Sequence, residues 1–211
     1  MIIQILVDNP NSWMVPYANK LMDHVISKFG FTVSLLFTHD KVVKGDILFL
    51  LSCEKIFKKL HYNKHNLVVH ESDLPKGKGW SPVTWQVLES KNKIPVTLFE
   101  ANDKVDSGVI YGQNFIELNG NELLPEIKKL QGERTIELVL SYLENYPVIG
   151  KEQIGNESFY SRRTSVDSEL DINKTIKEQF NLLRVCDNER YPAFFTIGNQ
   201  KYTLKIHKEN E

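Results

Sequence analysis

The run Ile2-Ile3-Gln4-Ile5-Leu6-Val7 breaks off at Asp8-Asn9-Pro10-Asn11-Ser12, and this switch from apolar residues to turn formers sets the architecture. A short, β-branched run without alternation fits a strand buried on both faces of a parallel sheet. The polar cluster ends it. Beyond it Tyr17, Leu21 and Val25 recur at steps of four, with Met22, Ile26 and Phe29 beside them, which predicts an amphipathic helix closed near Gly30. The β-loop-α pattern continues, because residues 31–37, 46–51, 67–70 and 94–100 read as further buried strands. Strands alternating with helices predict an α/β layer fold.

Ser81-Pro82 predicts a helix start, with a hydroxyl N-cap and a proline where its missing N–H costs nothing. Trp85 and Leu88 are then expected on its inward stripe. Residues 108–118 read as extended, and 121–146 as a long helical stretch that Pro125 and Gly132 divide or bend. After Pro147 the pattern changes. Residues 148–171 are polar and nonperiodic, Ile176, Phe180 and Leu183 mark a helix, and 194–197 with 202–206 flank Gly198-Asn199 as a hairpin. The expected division is a main domain over 1–147 and a small α+β appendage over 148–211 that ends in the hairpin.

A net charge of -1 over 211 residues is far from the basic footprint of a protein that grips a nucleic-acid backbone, so no nucleic-acid partner is expected. Cys53 and Cys186 share no metal-ligand spacing, which argues for reduced thiols and against a metal site. The apolar residues 1–7 are too few for a membrane span and lack the flanks of a signal peptide, so a cytoplasmic protein without a membrane partner is expected. No GxGxxG follows the first strand, which leaves a dinucleotide-dependent oxidoreductase poorly supported.

In an open parallel sheet, ligands bind in the crevice beyond the carboxyl ends of the strands. His70 stands at such an end, the 8–12 turn follows another, and Asp106 follows the 94–101 strand after a short loop. An imidazole that titrates near neutrality beside a carboxylate that orients it suits proton transfer while an amine attacks a carbonyl carbon.

Residues 66–110 resemble the folate-dependent formyltransferase family. Its signature has the shape His-x-Ser-x-Leu-Pro, then a Gly and Pro loop, a Trp-bearing helix, a Val-Thr strand and Asp-x-Gly. The corresponding residues here are His70, Ser72, Leu74 and Pro75; Gly79 and Pro82; Trp85; Val96 and Thr97; Asp106 and Gly108. The resemblance implies a Rossmann-like, mostly parallel sheet flanked by helices, and one-carbon transfer from 10-formyltetrahydrofolate to a primary amine without a metal. It implies that His70 polarises the formyl oxygen and moves protons while Asp106 holds the imidazole.

One position departs from the family, which carries an asparagine two residues before the histidine where this chain has Val68. Asn66 lies one strand repeat further back, roughly 6.6 Å away, and reaches the same place only through a bulge or register shift. Asn9, Asn11 and Asn102 are the other candidate oxyanion donors, and each also reads as a turn former. The resemblance places the folate along 52–57, with Ser52, Cys53, Ile56 and Phe57, and along 101–105, with Ala101 and Asp103.

The stretches 159–164, 167–171 and 190–195 resemble the tail of formyltransferases that modify nucleotide-linked amino sugars for bacterial surface polysaccharides. Arg162, Arg163 and Arg190 would then meet phosphates, and Trp80, Tyr160 or Tyr191 would stack on a base or sugar. Methionyl-tRNA formyltransferases carry a further barrel-like domain and a basic surface, a poor fit to the near-neutral tail. A 10-formyltetrahydrofolate hydrolase and a noncatalytic family member are the remaining alternatives. A homodimer is compatible with all of these readings.

Overall fold

The computed structural model describes residues 1–209, so Asn210 and Glu211, the end of the expected appendage, lie outside the described residues. The strands, in chain order, are β1 (Ile2–Leu6), β2 (Thr32–Leu36), β3 (Gly45–Leu50), β4 (Asn63–His70), β5 (Lys78–Gly79), β6 (Lys93–Glu100), β7 (Ile110–Glu117), β8 (Phe159–Tyr160), β9 (Ala193–Ile197) and β10 (Gln200–Leu204). The helices are α1 (Val15–Phe29), α2 (Pro82–Leu88), α3 (Leu124–Glu144) and α4 (Phe180–Val185).

Six strands form one sheet in the order β2-β1-β3-β4-β6-β7. The pairings β1 with β2, β1 with β3 and β3 with β4 are parallel, as the buried apolar runs predict. Alternate residues serve opposite faces. Ile3, Ile5, Ile47, Phe49, Leu67 and Val69 join the core beneath α1 and α3, whereas Leu6, Leu48 and Leu50 join a smaller core with Val42 and Phe57. Gln4, the polar residue inside β1, is fully satisfied: its amide donates to Val43 O and Asn63 Oδ1 at 2.8 and 2.9 Å and accepts the Val43 N–H.

Several expectations need correction. β6 runs antiparallel to β4, with His70 opposite Thr97 and Leu67 opposite Glu100, so β6 ends beside the middle of β4 and not at His70's edge. Residues 101–109 must double back to carry Asp106 to His70. Neither Pro125 nor Gly132 divides α3, because Pro125 lies in its first turn and Gly132 is a contact point. A Cβ at Gly132 would stand 2.4 Å from the Tyr17 ring, so the missing side chain lets α1 and α3 approach. Ser81 adopts φ 49° and makes no side-chain cap bond, and α2 buries Val83, Gln86 and Val87 while Trp85 turns to stack on Tyr160. The second hairpin strand starts at Gln200, opposite Ile197, because a two-residue turn at Gly198 (φ 58°) fixes the register. Helix α4 begins only at Phe180, leaving Ile176 exposed outside it. The polar stretch 148–171 contains β8, which pairs in parallel with β5. Among the described residues no helix is long and apolar enough to cross a membrane.

Candidate active site

β4 delivers His70 to the sheet edge with its side chain only 9% exposed. Its Nε2 donates to Gly77 O at 2.8 Å and lies 3.8 Å from Asp106 Oδ2, close enough for electrostatic coupling but beyond a hydrogen bond. The same Asp106 oxygen accepts the Gly79 N–H at 2.9 Å. A ring that donates from Nε2 in its neutral form keeps its lone pair on Nδ1.

The loop bearing Asp106 is held under strain. Asp106 has φ 49°, a left-handed conformation that costs a residue with a Cβ on the order of 1 kcal/mol or more. Gln153 Nε2 secures it by donating to Asp106 O at 3.0 Å and Gly108 O at 2.9 Å. Lys78, with 1% side-chain exposure, donates to Ser107 Oγ at 2.7 Å and to Glu157 Oε1 at 2.6 Å, over the Phe159 ring. Residues 153–160 grip the histidine side as well. Ser158 Oγ accepts the Gly77 N–H, Ser158 O accepts the Lys78 N–H, and Tyr160 O accepts the Trp80 N–H.

Two cavities meet near Asp106, which lines the first of them, whereas His70 lines neither and lies next in the chain to Val69 of their shared wall. The first, about 270 Å³, is lined by Ser52, Cys53, Ile56, Phe57, Ala101, Asn102, Asp103 and Asp106, so both loops assigned to the folate come together on it. Asp8 pins the 52–57 loop by accepting the Glu54 and Lys55 N–H groups at 2.8 and 2.9 Å and the His39 Nε2–H at 3.1 Å. The second, about 300 Å³, is lined by Trp13, Met14, Glu71, Thr84, Gln131 and Thr135 among others. Ser52, Cys53, Glu54, Val69, Gly79 and Trp80 border both. Ser52 and Ser81, at φ 52° and 49°, also line this cleft, so three of the four left-handed non-glycine residues among the described residues cluster at it. The Cys53 thiol, pushed up to about 12 by burial and then by Asp8, is held as a poor nucleophile.

The other expected residues divide. Asn66 borders neither cavity: its amide donates to Leu60 O at 2.8 Å and its oxygen accepts from Asn63, so it is not free as an oxyanion donor. Asn9 accepts the Asn11 N–H and donates to Glu54, which makes this pair a turn outside both cavities. Asn102 borders the first cavity, with its oxygen on the Lys104 N–H. The Arg162 guanidinium lies 4.6 Å over Trp80. Tyr160 stacks on Trp85 and donates to Glu89 Oε2 at 2.9 Å. Arg163 donates to Asp167 O at 2.7 Å, and burial lowers its guanidinium's proton affinity. Arg190 and Tyr191 lie outside both cavities, in the turn leading to β9.

Sequence reasoning missed Glu71, Lys78, Gln131 and Gln153. Glu71 is 7% exposed, and burial raises its carboxyl above the ordinary range despite the adjacent His70 and the hydrogen bond from Gln131. Its place between His70 and Ser72 was in plain view, but the signature leaves that position unspecified.

No protein-family model matches the chain. Similar solved structures are formyltransferases or contain that fold. A methionyl-tRNA formyltransferase from Clostridium thermocellum superposes with TM-score 0.83 at 19% identity, over 100% of this chain and 94% of that one. A 4-N formyltransferase from Francisella tularensis gives 0.76 at 15%, over 100% and 98%. HypX from Aquifex aeolicus in complex with tetrahydrofolic acid gives 0.79 at 16%, over 97% of this chain and 37% of that protein. The chain thus has the fold of the formyltransferases. Length alone does not separate the tRNA and sugar classes, since the chain spans 94% of the methionyl-tRNA enzyme and, at TM-score 0.76 and 14% identity, 99% of a sugar N-formyltransferase from Shewanella sp FDAARGOS_354.

Proposed function

We propose that the chain transfers a formyl group from 10-formyltetrahydrofolate to the primary amine of a nucleotide-linked amino deoxysugar, in the cytoplasm, for surface polysaccharide synthesis. The observation that carries this reading is the meeting of two cavities at a wall that contains Val69, the residue before His70, and Gly79, whose N–H donates to Asp106. In it, the folate takes the cavity lined by the 52–57 and 101–105 loops and the acceptor takes the other. The division into a main domain over 1–147 and an appendage over 148–211 belongs to the same reading, with the appendage buttressing the site.

The amine nitrogen attacks the formyl carbon, forming a C–N bond as the carbonyl electrons move onto oxygen. Donors at the wall stabilise that oxyanion, and Asn102, on the folate cavity, is the side-chain donor best placed among the asparagines. Collapse re-forms the carbonyl and breaks the bond to the folate nitrogen. That nitrogen takes a proton from His70, while the former amine loses one toward Asp106, leaving a formamide and tetrahydrofolate.

The near-neutral charge favours a sugar nucleotide over tRNA. The test is incubation of the protein with 10-formyltetrahydrofolate and a panel of UDP-, TDP- and GDP-linked amino deoxysugars, following tetrahydrofolate and product mass. Formate release without any acceptor would instead identify a hydrolase. His70→Ala should lose roughly 10²–10⁴-fold in kcat, the range of a positioned acid or base, and wild-type turnover by that variant refutes the mechanism.

A further inference from the structure

The second cavity holds a carboxylate that the chain leaves partly unused. Glu71 lines the cavity, its Oε1 accepts the Gln131 Nε2–H at 2.8 Å, and apart from its own backbone N–H no other group among the described residues hydrogen-bonds the carboxylate. Much of the wall around it is apolar, with Met14, Leu51, Val69, Val83, Ile127 and Val185. A carboxylate withdrawn from water with lone pairs unfilled is costly, and burial is the leading cause of its raised proton affinity.

The surrounding charges offset this burial only in part. Lys128 of α3 borders the same cavity but donates to Asp187 at 3.3 Å. Glu54 of the loop after β3 is another carboxylate, and α3 otherwise presents the neutral Gln131 and Thr135. His70 favours Glu71's charge and Asp106 opposes it. A cation arriving with a ligand would complete the set.

We propose that Glu71 receives the acceptor's primary ammonium: Oε2 pairs with it in the second cavity and takes one of its protons. The assignment rests on the formyl-transfer reading above. The N–H bond breaks with its electron pair left on nitrogen, an O–H bond forms on Glu71, and the freed lone pair attacks the formyl carbon at the shared wall. Val69, two residues earlier on the chain, belongs to that wall, which places Glu71 on the acceptor's approach. The carboxylic acid returns its proton to solvent after the formamide leaves.

The experiment compares wild type with Glu71→Gln, a substitution of like volume, using each amino-sugar nucleotide of the panel and its hydroxyl counterpart as a nonreacting competitor. Wild type should favour the amine over the hydroxyl by about 10- to 100-fold, the worth of one charge-assisted hydrogen bond. E71Q should bring that ratio close to one and lower kcat/KM for the amine, while tetrahydrofolate affinity stays within about twofold, since the partner lost is an ammonium and not the folate. An unchanged amine-to-hydroxyl ratio in E71Q overturns the assignment. So does a parallel loss of folate affinity.

A second measurement needs no variant: in wild type the amine's advantage should fade as pH drops and Glu71 takes up a proton. His70, Asp106, Glu54 and Lys128 face the same region, so persistence of the advantage below the range of all the carboxyls also overturns it. A wild type that binds tetrahydrofolate yet formylates no amine overturns the formyl-transfer reading and this assignment together. Turnover by wild type with undiminished discrimination in E71Q overturns the assignment alone.

Discussion

At Gly108 the Asp-x-Gly signature has a steric cause. A Cβ there would lie 1.7 Å from Glu100 O, on backbone that cannot step aside, and the returning 101–109 loop passes β6 at that point. Gly108→Ala should therefore destabilise by at least the roughly 1–3 kcal/mol of ordinary overpacking, read as a lower urea midpoint. Gly79 follows the same logic, with φ 95° and a Cβ position 2.6 Å from Tyr160 O. Glu71 makes a pH-dependent prediction of definite sign. Burial raises its folded-state pKa above the unfolded value, so its favourable contribution is complete at pH below the unfolded carboxyl range and is lost as pH rises through the folded pKa. Each unit of that rise corresponds to about 1.4 kcal/mol. Glu71→Gln should lack this loss, and the difference in unfolding free energy between E71Q and wild type should grow in the variant's favour from acid to neutral pH in urea titrations without ligand.

At the scale of elements, the short β5–β8 pairing is more than two residues of ladder. Through Lys78 it ties Ser107, beside the strained Asp106, to Glu157 on the C-terminal stretch. The two ends of that ion pair differ, because Lys78 is buried while the Glu157 side chain is 55% exposed. Removing Glu157 strands a buried ammonium, whereas removing Lys78 releases a carboxylate that water can reach. Glu157→Ala should thus cost more stability than Lys78→Met, although less than the roughly 3–5 kcal/mol for breaking a fully buried pair, since water enters where Glu157 stood. Equal unfolding midpoints for the two variants would contradict this account. Both should lower kcat through a misplaced Asp106, and Glu157→Gln should recover more of it than Glu157→Ala.

Over the whole molecule, ligand binding offers a check on the cavity proposed for the folate. Tetrahydrofolate at about 100 times its Kd should stabilise the folded state by about 2.7 kcal/mol, or roughly 5–11 °C in a chain of this size. A calorimetric scan showing no shift would remove the folate from the cavity bordered by Ile56 and Asp103. Much of this architecture was legible because local rules operate in it: the apolar run in β1, the four-step spacing in α1 and the two-residue turn of the hairpin each carry their own cause. The pairing of His70 with Asp106 was legible through the ordered signature between them. The antiparallel sense of β6 was not, since a strand buried on both faces reads alike in either direction. Lys78 and Gln153 escaped for a similar reason, as their roles depend on contacts with segments remote in sequence.

The grip of residues 153–160 on both Gly77 and the Asp106 loop gives synthesis of the protein an order. A ribosome that has released every strand of the main sheet and all of α3 has made most of the cleft's walls but not the fastening that holds the Gly77 turn beside His70 and the loop of Asp106. Until Tyr160 clears the exit tunnel, Asp106 has no Gln153 behind it and Lys78 has no Glu157. Nascent chains released at 147 should fold much of the sheet and stay silent, and supplying the missing tail as a separate peptide is the direct way to wake them.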